Sequence, residues 1–358
     1  MAPQRFLILA DGDFSPMTSK TANSVIRYMP ERVVGVVDHV AAGGTVEDVL
    51  GFGGTIPVVP DMASGLALGP DAIMIGIAPM GGRLPEQWHA WLVSALDAGC
   101  DIWSGLHTFL GDDPILAERA RVNRCEIRDV RKAPEQLPVA EGFARLLEPL
   151  VMLTVGTDCN VGKMTCQLQL TRQLNDHGVR TRFVPTGQTG IFIEGWGIAV
   201  DAVVADFIAG AAEKITLEGA RDADVVLVEG QGSLNHPGYS GVTLGLLHGS
   251  CPNALILCHQ ASRTHLSEYR GKPWLRMPPL SEYIRMYEMA GSAVWPTRVI
   301  GICLNTYDMT DDQARAACAA AISETGLPCT DPVRFPADPA LLDATLAARE
   351  RYLKTGRC

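Results

Sequence analysis

A chain of 358 residues with a net charge of −10, 47% hydrophobic and 20% charged, has material for two domains, each with its own core. The negative balance argues against broad attraction to nucleic acid or an anionic membrane, so an anionic ligand needs a local basic pocket. Ten cysteines form no C-x-x-C pair, no apolar run reaches membrane-spanning length, and the N-terminus lacks a signal-peptide core, so a reducing cytoplasm and no metal site are expected.

The first half alternates strand and helix. Phe6–Ala10 reads as a strand running into Asp11-Gly12-Asp13, and residues 18–28 place Ala22, Val25 and Ile26 at helical spacing. Val33–Val37 is a second strand, closed by Asp38. Ile56–Val59 and Ala72–Ile77 follow as strands, then Leu84–Leu96 as an amphipathic helix carrying Trp88, Trp91 and Leu92. This rhythm predicts an α/β, Rossmann-like parallel-sheet domain over residues 1–138. Asp38 stands where a dinucleotide fold holds a ribose, but the first turn has no G-x-G-x-x-G, so a strand-end role is the better reading. Two strand-to-helix loops offer polar groups: residues 77–85 carry Arg83 for an anion, and residues 104–113 present His107, more readily structural than catalytic. Residues 129–138, charged and with two prolines, read as a connector.

The second half, residues 139–358, is expected to be a P-loop NTPase-like parallel-sheet domain. Its strongest signal is an apolar strand from Val151 running into Gly156-Thr157-Asp158-Cys159-Asn160-Val161-Gly162-Lys163-Met164-Thr165. Strand, glycine-bounded turn and helix make a phosphate cradle: backbone N–H groups face the anion and Lys163 adds a positive charge. Five residues separate Gly156 from Gly162, and Met164 intervenes before Thr165, so the spacing departs from G-x-x-x-x-G-K-[ST]. A helix over Lys163–His177 leads to a strand at Thr181–Pro185 and a small polar loop, Thr186-Gly187-Gln188-Thr189-Gly190. Residues 191–197 read as a hairpin or lid, and Asp201–Ala212 as a helix with Asp201 and Asp206 in its first half. The strand Asp224–Val228 ends in Glu229-Gly230-Gln231-Gly232, where phosphate-loop folds place a carboxylate beside the loop. Asn235, His236 and Tyr239 then gather proton-moving groups. The strand Ala254–Cys258 runs into His259, Arg263 and His265, and Arg263 has the planar fork that suits a carboxylate. After a helix at Ser281–Ala290, the strand Val299–Leu304 ends in Asn305, whose amide suits an adenine edge. A helix over Asp311–Glu324, a strand near Cys329–Phe335 and a last helix from Pro339 close the sheet.

The loop, the Val228–Gly232 stretch and Asn305 together resemble the dethiobiotin synthetase-like phosphate-loop proteins. Gly81–Pro85, Ser104–His107, Gly156–Thr165, Asp206–Glu213 and Glu229–Pro237 resemble, over nearly the full length, a two-domain bacterial family long described as a domain of unknown function and including D-glutamate N-acetyltransferase. That resemblance implies acetyl-CoA as co-substrate, D-glutamate as the small-molecule acceptor and N-acetyl-D-glutamate as product, with the cradle holding the CoA phosphates. On this reading Glu229 and His236 are the candidate bases, with Asp206 behind them. Arg263 and Arg83 would hold carboxylates, residues 186–189 would contact substrate, and amides near Gly187 or Gly232 would face the oxyanion. The loop taken alone leaves open an ATP- and magnesium-dependent kinase or ligase, with Lys163 and Thr165 on the γ-phosphate and metal and Glu229 holding that metal. A nucleotide-binding regulator fits less well, because its loops need fewer proton-moving groups. Apolar helices in the first domain make a homo-oligomer plausible.

Overall fold

The computed structural model describes residues 3–77, 84–266, 272 and 274–356. The chain divides into two units, Met1–Ala133 with Ile191–Trp196, and Pro134–Gly190 with Gly197–Cys358.

In the first unit, short apolar runs form β1 (Phe6–Leu9), β2 (Val33–Val37), β3 (Val58–Val59), β4 (Ala72–Ile75), β5 (Asp101–Ser104) and β6 (Ile127–Asp129). The connections carry α1 (Lys20–Tyr28), α2 (Val46–Leu50), α3 (Met62–Leu66), α4 (Glu86–Asp97) and α5 (Pro114–Asn123). The strands pair in parallel in the order β3-β2-β1-β4-β5-β6, the doubly wound Rossmann order. β1 is buried along its whole length, as a central parallel strand must be. The buried Asp38 carboxylate accepts N–H bonds from Gly12 at 2.8 Å, Phe14 at 3.3 Å and Ala41 at 2.7 Å. It ties the turn after β1 to the end of β2, which is the strand-end role expected of it. His107 is exposed. Arg83 lies outside the described residues.

The second unit is built from β7 (Leu150–Gly156), α6 (Lys163–Asp176), β8 (Thr181–Val184), the first three residues of α7 (Gln188–Glu194), whose remainder belongs to the first unit, α8 (Ile208–Gly219), β9 (Val225–Val228) and α9 (Ser240–Ser250). It continues through β10 (Ala254–Gln260), α10 (Leu280–Ser292), β11 (Arg298–Asn305), α11 (Asp311–Thr325), β12 (Cys329–Thr330) and α12 (Ala340–Thr355). Its parallel sheet runs β12-β11-β10-β7-β9-β8, with β7 inside and buried throughout. α8 and α9 meet through glycine: a Cβ at Gly249 would fall 2.0 Å from the Ala209 carbonyl oxygen. The Cys166, Cys258 and Cys303 sulfurs lie within 4.8 Å of one another in the core, packed as small apolar residues.

Three local expectations change. Residues 191–197 do not form a hairpin. α7 occupies 188–194, and Phe192 is 1% exposed, sealed in the first unit's core with its ring 6.2 Å from that of Trp103. The helix expected over 201–212 starts only at Ile208: Val200–Ala202 and Ala205–Phe207 form separate single turns of 3-10 helix, with Val200 and Val203 buried and Asp201 and Asp206 exposed. The strand expected over 329–335 stops at Thr330, where the Asp331 carboxylate accepts N–H bonds from Thr306, Val333 and Arg334 and turns the chain.

Candidate functional site

The carboxyl ends of β7, β8, β9, β10 and β11 converge on the loop between Gly156 and Lys163. Asn160 and Gly162 take left-handed backbone, with φ of 54° and 100°. Gly162 is the N-cap of α6 and has no side chain to occupy the first-turn N–H groups, which suits an anion. The buried Lys163 folds back over the loop, its Nζ donating to the Asp158 carbonyl at 2.8 Å. Two glycines make room for that side chain. A Cβ at Gly156 would sit 2.8 Å from Lys163 Nζ, and one at Gly230 would sit 3.3 Å from its Cδ and 1.6 Å from the Thr154 oxygen. Asn305 flanks the turn, its Cβ 3.8 Å from where a Gly162 Cβ would be, while its Oδ1 accepts the Tyr307 N–H at 3.2 Å. Thr165, in the first turn of α6, is half-buried.

The loop is braced on every side. Arg263 Nη1 donates to Asp158 Oδ2 and to the Cys159 carbonyl, both at 2.7 Å, and its Nε donates to Gln260 Oε1 at 3.1 Å. The guanidinium expected to clamp a substrate therefore shapes the loop in this structure. Thr157 Oγ1 lies 2.8 Å from His259 Nδ1. Burial, and then the Arg263 charge, lower the His259 pKa to about 4. Two tyrosines of α10 complete the brace. Tyr287 Oη donates to the Gly156 carbonyl at 2.6 Å and accepts the Leu234 N–H at 3.2 Å. Tyr283 Oη donates to the Thr157 carbonyl at 3.0 Å and accepts from Asn235 Nδ2 at 2.6 Å. Burial pushes the Tyr287 phenol up to about 12 and raises Tyr283 as well, so both remain neutral donors. Sequence reasoning missed these tyrosines. Their only signal was two aromatics four residues apart on one helix, an ordinary core pattern.

Glu229 closes the other side. Its Oε2 accepts the Thr186 N–H at 2.9 Å and the Gly187 N–H at 3.1 Å, while Thr186 Oγ1 donates to its carbonyl at 2.8 Å. The 186–189 loop is thus fastened to the end of β9, and Gln188 and Thr189 open α7. The buried His236 stacks on Tyr239 at 4.5 Å, and its Nδ1 accepts the Gly238 N–H at 3.2 Å. A ring nitrogen of His236, an Asp158 carboxylate oxygen and the Cys159 sulfur all lie within 4.8 Å of one another. The structure therefore brings Glu229, His236, the loop, Asn305 and Arg263 to one sheet edge, and leaves Asp206 on an exposed turn.

The sheet order of the first unit and the glycine-bounded loop of the second define a two-domain α/β protein, one domain Rossmann-like and the other a phosphate-loop domain. Residues 40–133 match the Rossmann-like domain DUF1611_N and residues 138–341 the P-loop domain DUF1611_C, both described as domains of unknown function. The chain belongs to this DUF1611 family. It is 37% identical over 332 residues to a protein of Tritonibacter scottomollicae named D-glutamate N-acetyltransferase, covering 92% of this chain and 95% of the relative. A protein of the same name from a Pseudoalteromonas species is 37% identical over 268 residues, 75% of this chain and 79% of its own length. The crystal structure of a DUF1611 family protein from Anabaena variabilis is 41% identical and covers 96% of this chain and 100% of its own, with a TM-score of 0.90.

Proposed function

We propose that this protein is a D-glutamate N-acetyltransferase, moving the acetyl group of acetyl-CoA to the amino group of D-glutamate in the cytoplasm. The observation that carries this reading is the likeness to relatives of that name along nearly the whole chain, 92% of it in one case. The site supplies parts the reaction requires. CoA is polyanionic, and the α6 N-terminus with Lys163 offers a cradle that binds phosphate without any hydrolysis. The acceptor ammonium must lose a proton before it attacks, and Glu229, held at one oxygen by two backbone amides, is the base set beside the loop. Because the Gly187 N–H already serves Glu229, the thioester oxyanion falls to amides around Gly232.

The test is to mix the protein with D-glutamate and acetyl-CoA and follow thiol release with ATP and magnesium left out. Thiol release with formation of N-acetyl-D-glutamate supports the reading. No release, together with ATP hydrolysis stimulated by a small acid, would replace it with a kinase or ligase. Lys163→Ala removes a charge-assisted contact and is expected to raise the KM for acetyl-CoA by about 10-fold or more. An unchanged KM would place CoA elsewhere.

A further inference from the structure

The segment that holds Glu229 does not stay in the second unit. Thr186 is its fixed point. Its N–H bonds Glu229 Oε2 at 2.9 Å, its Oγ1 donates to the Glu229 carbonyl at 2.8 Å, and its own carbonyl accepts Gln231 Nε2 and, at 3.0 Å, the Val200 N–H. The chain therefore leaves Thr186, runs out through residues 187–199 and closes on Thr186 again. Gly195 and Gly197, with φ of 77° and 123°, turn it back. Phe192, on this excursion, is 1% exposed among the apolar residues of the first unit, and Ile193 packs against the same cluster.

α7 makes a stiff link between that core and the base. Its Gln188, Thr189 and Gly190 belong to the second unit, and its residues 191–194 to the first. The Glu229 carboxylate lies against its opening turn: the Gly187 N–H just before the helix bonds Oε2 at 3.1 Å, and a Cβ at Gly190 would fall 2.8 Å from the same oxygen. At about 1.5 Å of rise per residue, Phe192 is only about 3 Å along the axis from Gly190. A helix keeps that spacing unless its backbone hydrogen bonds break, and the Gly195 N–H on the Ile191 carbonyl, at 2.8 Å, holds the last turn closed. A shift of α7 at Phe192 is therefore passed to Glu229 instead of being absorbed by a slack loop.

We propose that Phe192 is a positioning residue for Glu229, anchoring α7 so that the amides of Thr186 and Gly187 hold the carboxylate where it takes the acceptor's proton; the inference rests on the acetyltransferase reading above. Phe192 acts only through α7 and Glu229. Proton removal suits such control, because a base works only within hydrogen-bond reach of its proton, and a misplacement on the order of 1 Å costs about 100-fold in rate. The phosphate cradle is braced separately, by Arg263, Tyr283 and Tyr287, none of them on α7, so the hold on acetyl-CoA is spared.

The test is a double-mutant cycle on the full chain, scored as N-acetyl-D-glutamate formed per folded protein, well below each variant's melting temperature. Phe192→Ala is expected to lower kcat by about 10- to 100-fold and to leave the KM for acetyl-CoA within about 2-fold. Phe192→Leu, which keeps an apolar anchor, is expected to recover most of that loss, and Phe192→Val replaces Phe192→Ala in the cycle if the latter does not fold. In the Glu229→Gln background, where the base is already gone, Phe192→Ala is expected to cost less than about 3-fold more. Leu92→Ala truncates the same core on α4 and is expected to keep the wild-type kcat. A Phe192→Ala variant with wild-type kcat, an equal loss in both Glu229 backgrounds, or a matching loss in Leu92→Ala overturns the positioning role and leaves the acetyltransferase reading standing. Wild-type protein that forms no N-acetyl-D-glutamate removes that reading and this proposal with it.

Discussion

Two carboxylate and imidazole residues show how little of a side chain's task lies in its own chemistry. Glu229 is an acid whose position is set by the amides of Thr186 and Gly187. Glu229→Gln keeps an oxygen for those amides and removes the base. Its kcat is expected to fall by about 100- to 10,000-fold with little change in melting temperature, measured by steady-state thiol release. His259 works in the opposite sense, since its value lies in staying uncharged beside Arg263. Its ordinary pKa of 6.5 is lowered to about 4 in the fold. The unfolded chain therefore takes up a proton over that interval while the folded chain does not. The contribution is whole above pH 6.5 and is lost as the pH falls toward 4, by up to about 3 kcal/mol. Denaturant midpoints measured across that range check the sign, and His259→Asn should flatten the slope.

At the scale of elements, the strands were legible because a buried parallel strand is an unbroken apolar run, as β7 and β9 are. The loop after β7 was legible too, because its glycines and lysine have local reasons to be there. α9 was not legible. Its sequence, SGVTLGLLHGS, is rich in glycine and has weak intrinsic helicity, so packing on α8 supplies the reason for its helix. The roles of Tyr283 and Tyr287 were equally hidden, since each bonds backbone more than a hundred positions away. The close approach of α8 and α9 gives a direct check. A methyl group at Gly249 meets a backbone oxygen that no side-chain rotation can move aside, so Gly249→Ala is expected to cost about 2–3 kcal/mol, read from denaturant unfolding.

At the scale of the molecule, sequence rhythm suggested one junction between two halves, whereas the chain passes between its units at 133/134, 190/191 and 196/197. The first unit's core holds Phe6, Trp103 and Phe192 together, with Trp103 edge-on to Phe6 at 5.5 Å. Phe192→Ala is expected to destabilise that unit by about 3–5 kcal/mol, although the residue lies far along the chain, with thermal unfolding as the measure. A fragment ending at Ala133 should for the same reason be less stable than one supplied with residues 191–196. Heredity feels this threading as well. A single recombination event near residue 133 between diverged relatives would join one lineage's Trp103 to the other's Phe192, so these positions are expected to be inherited as a set and to drift in step across descendants.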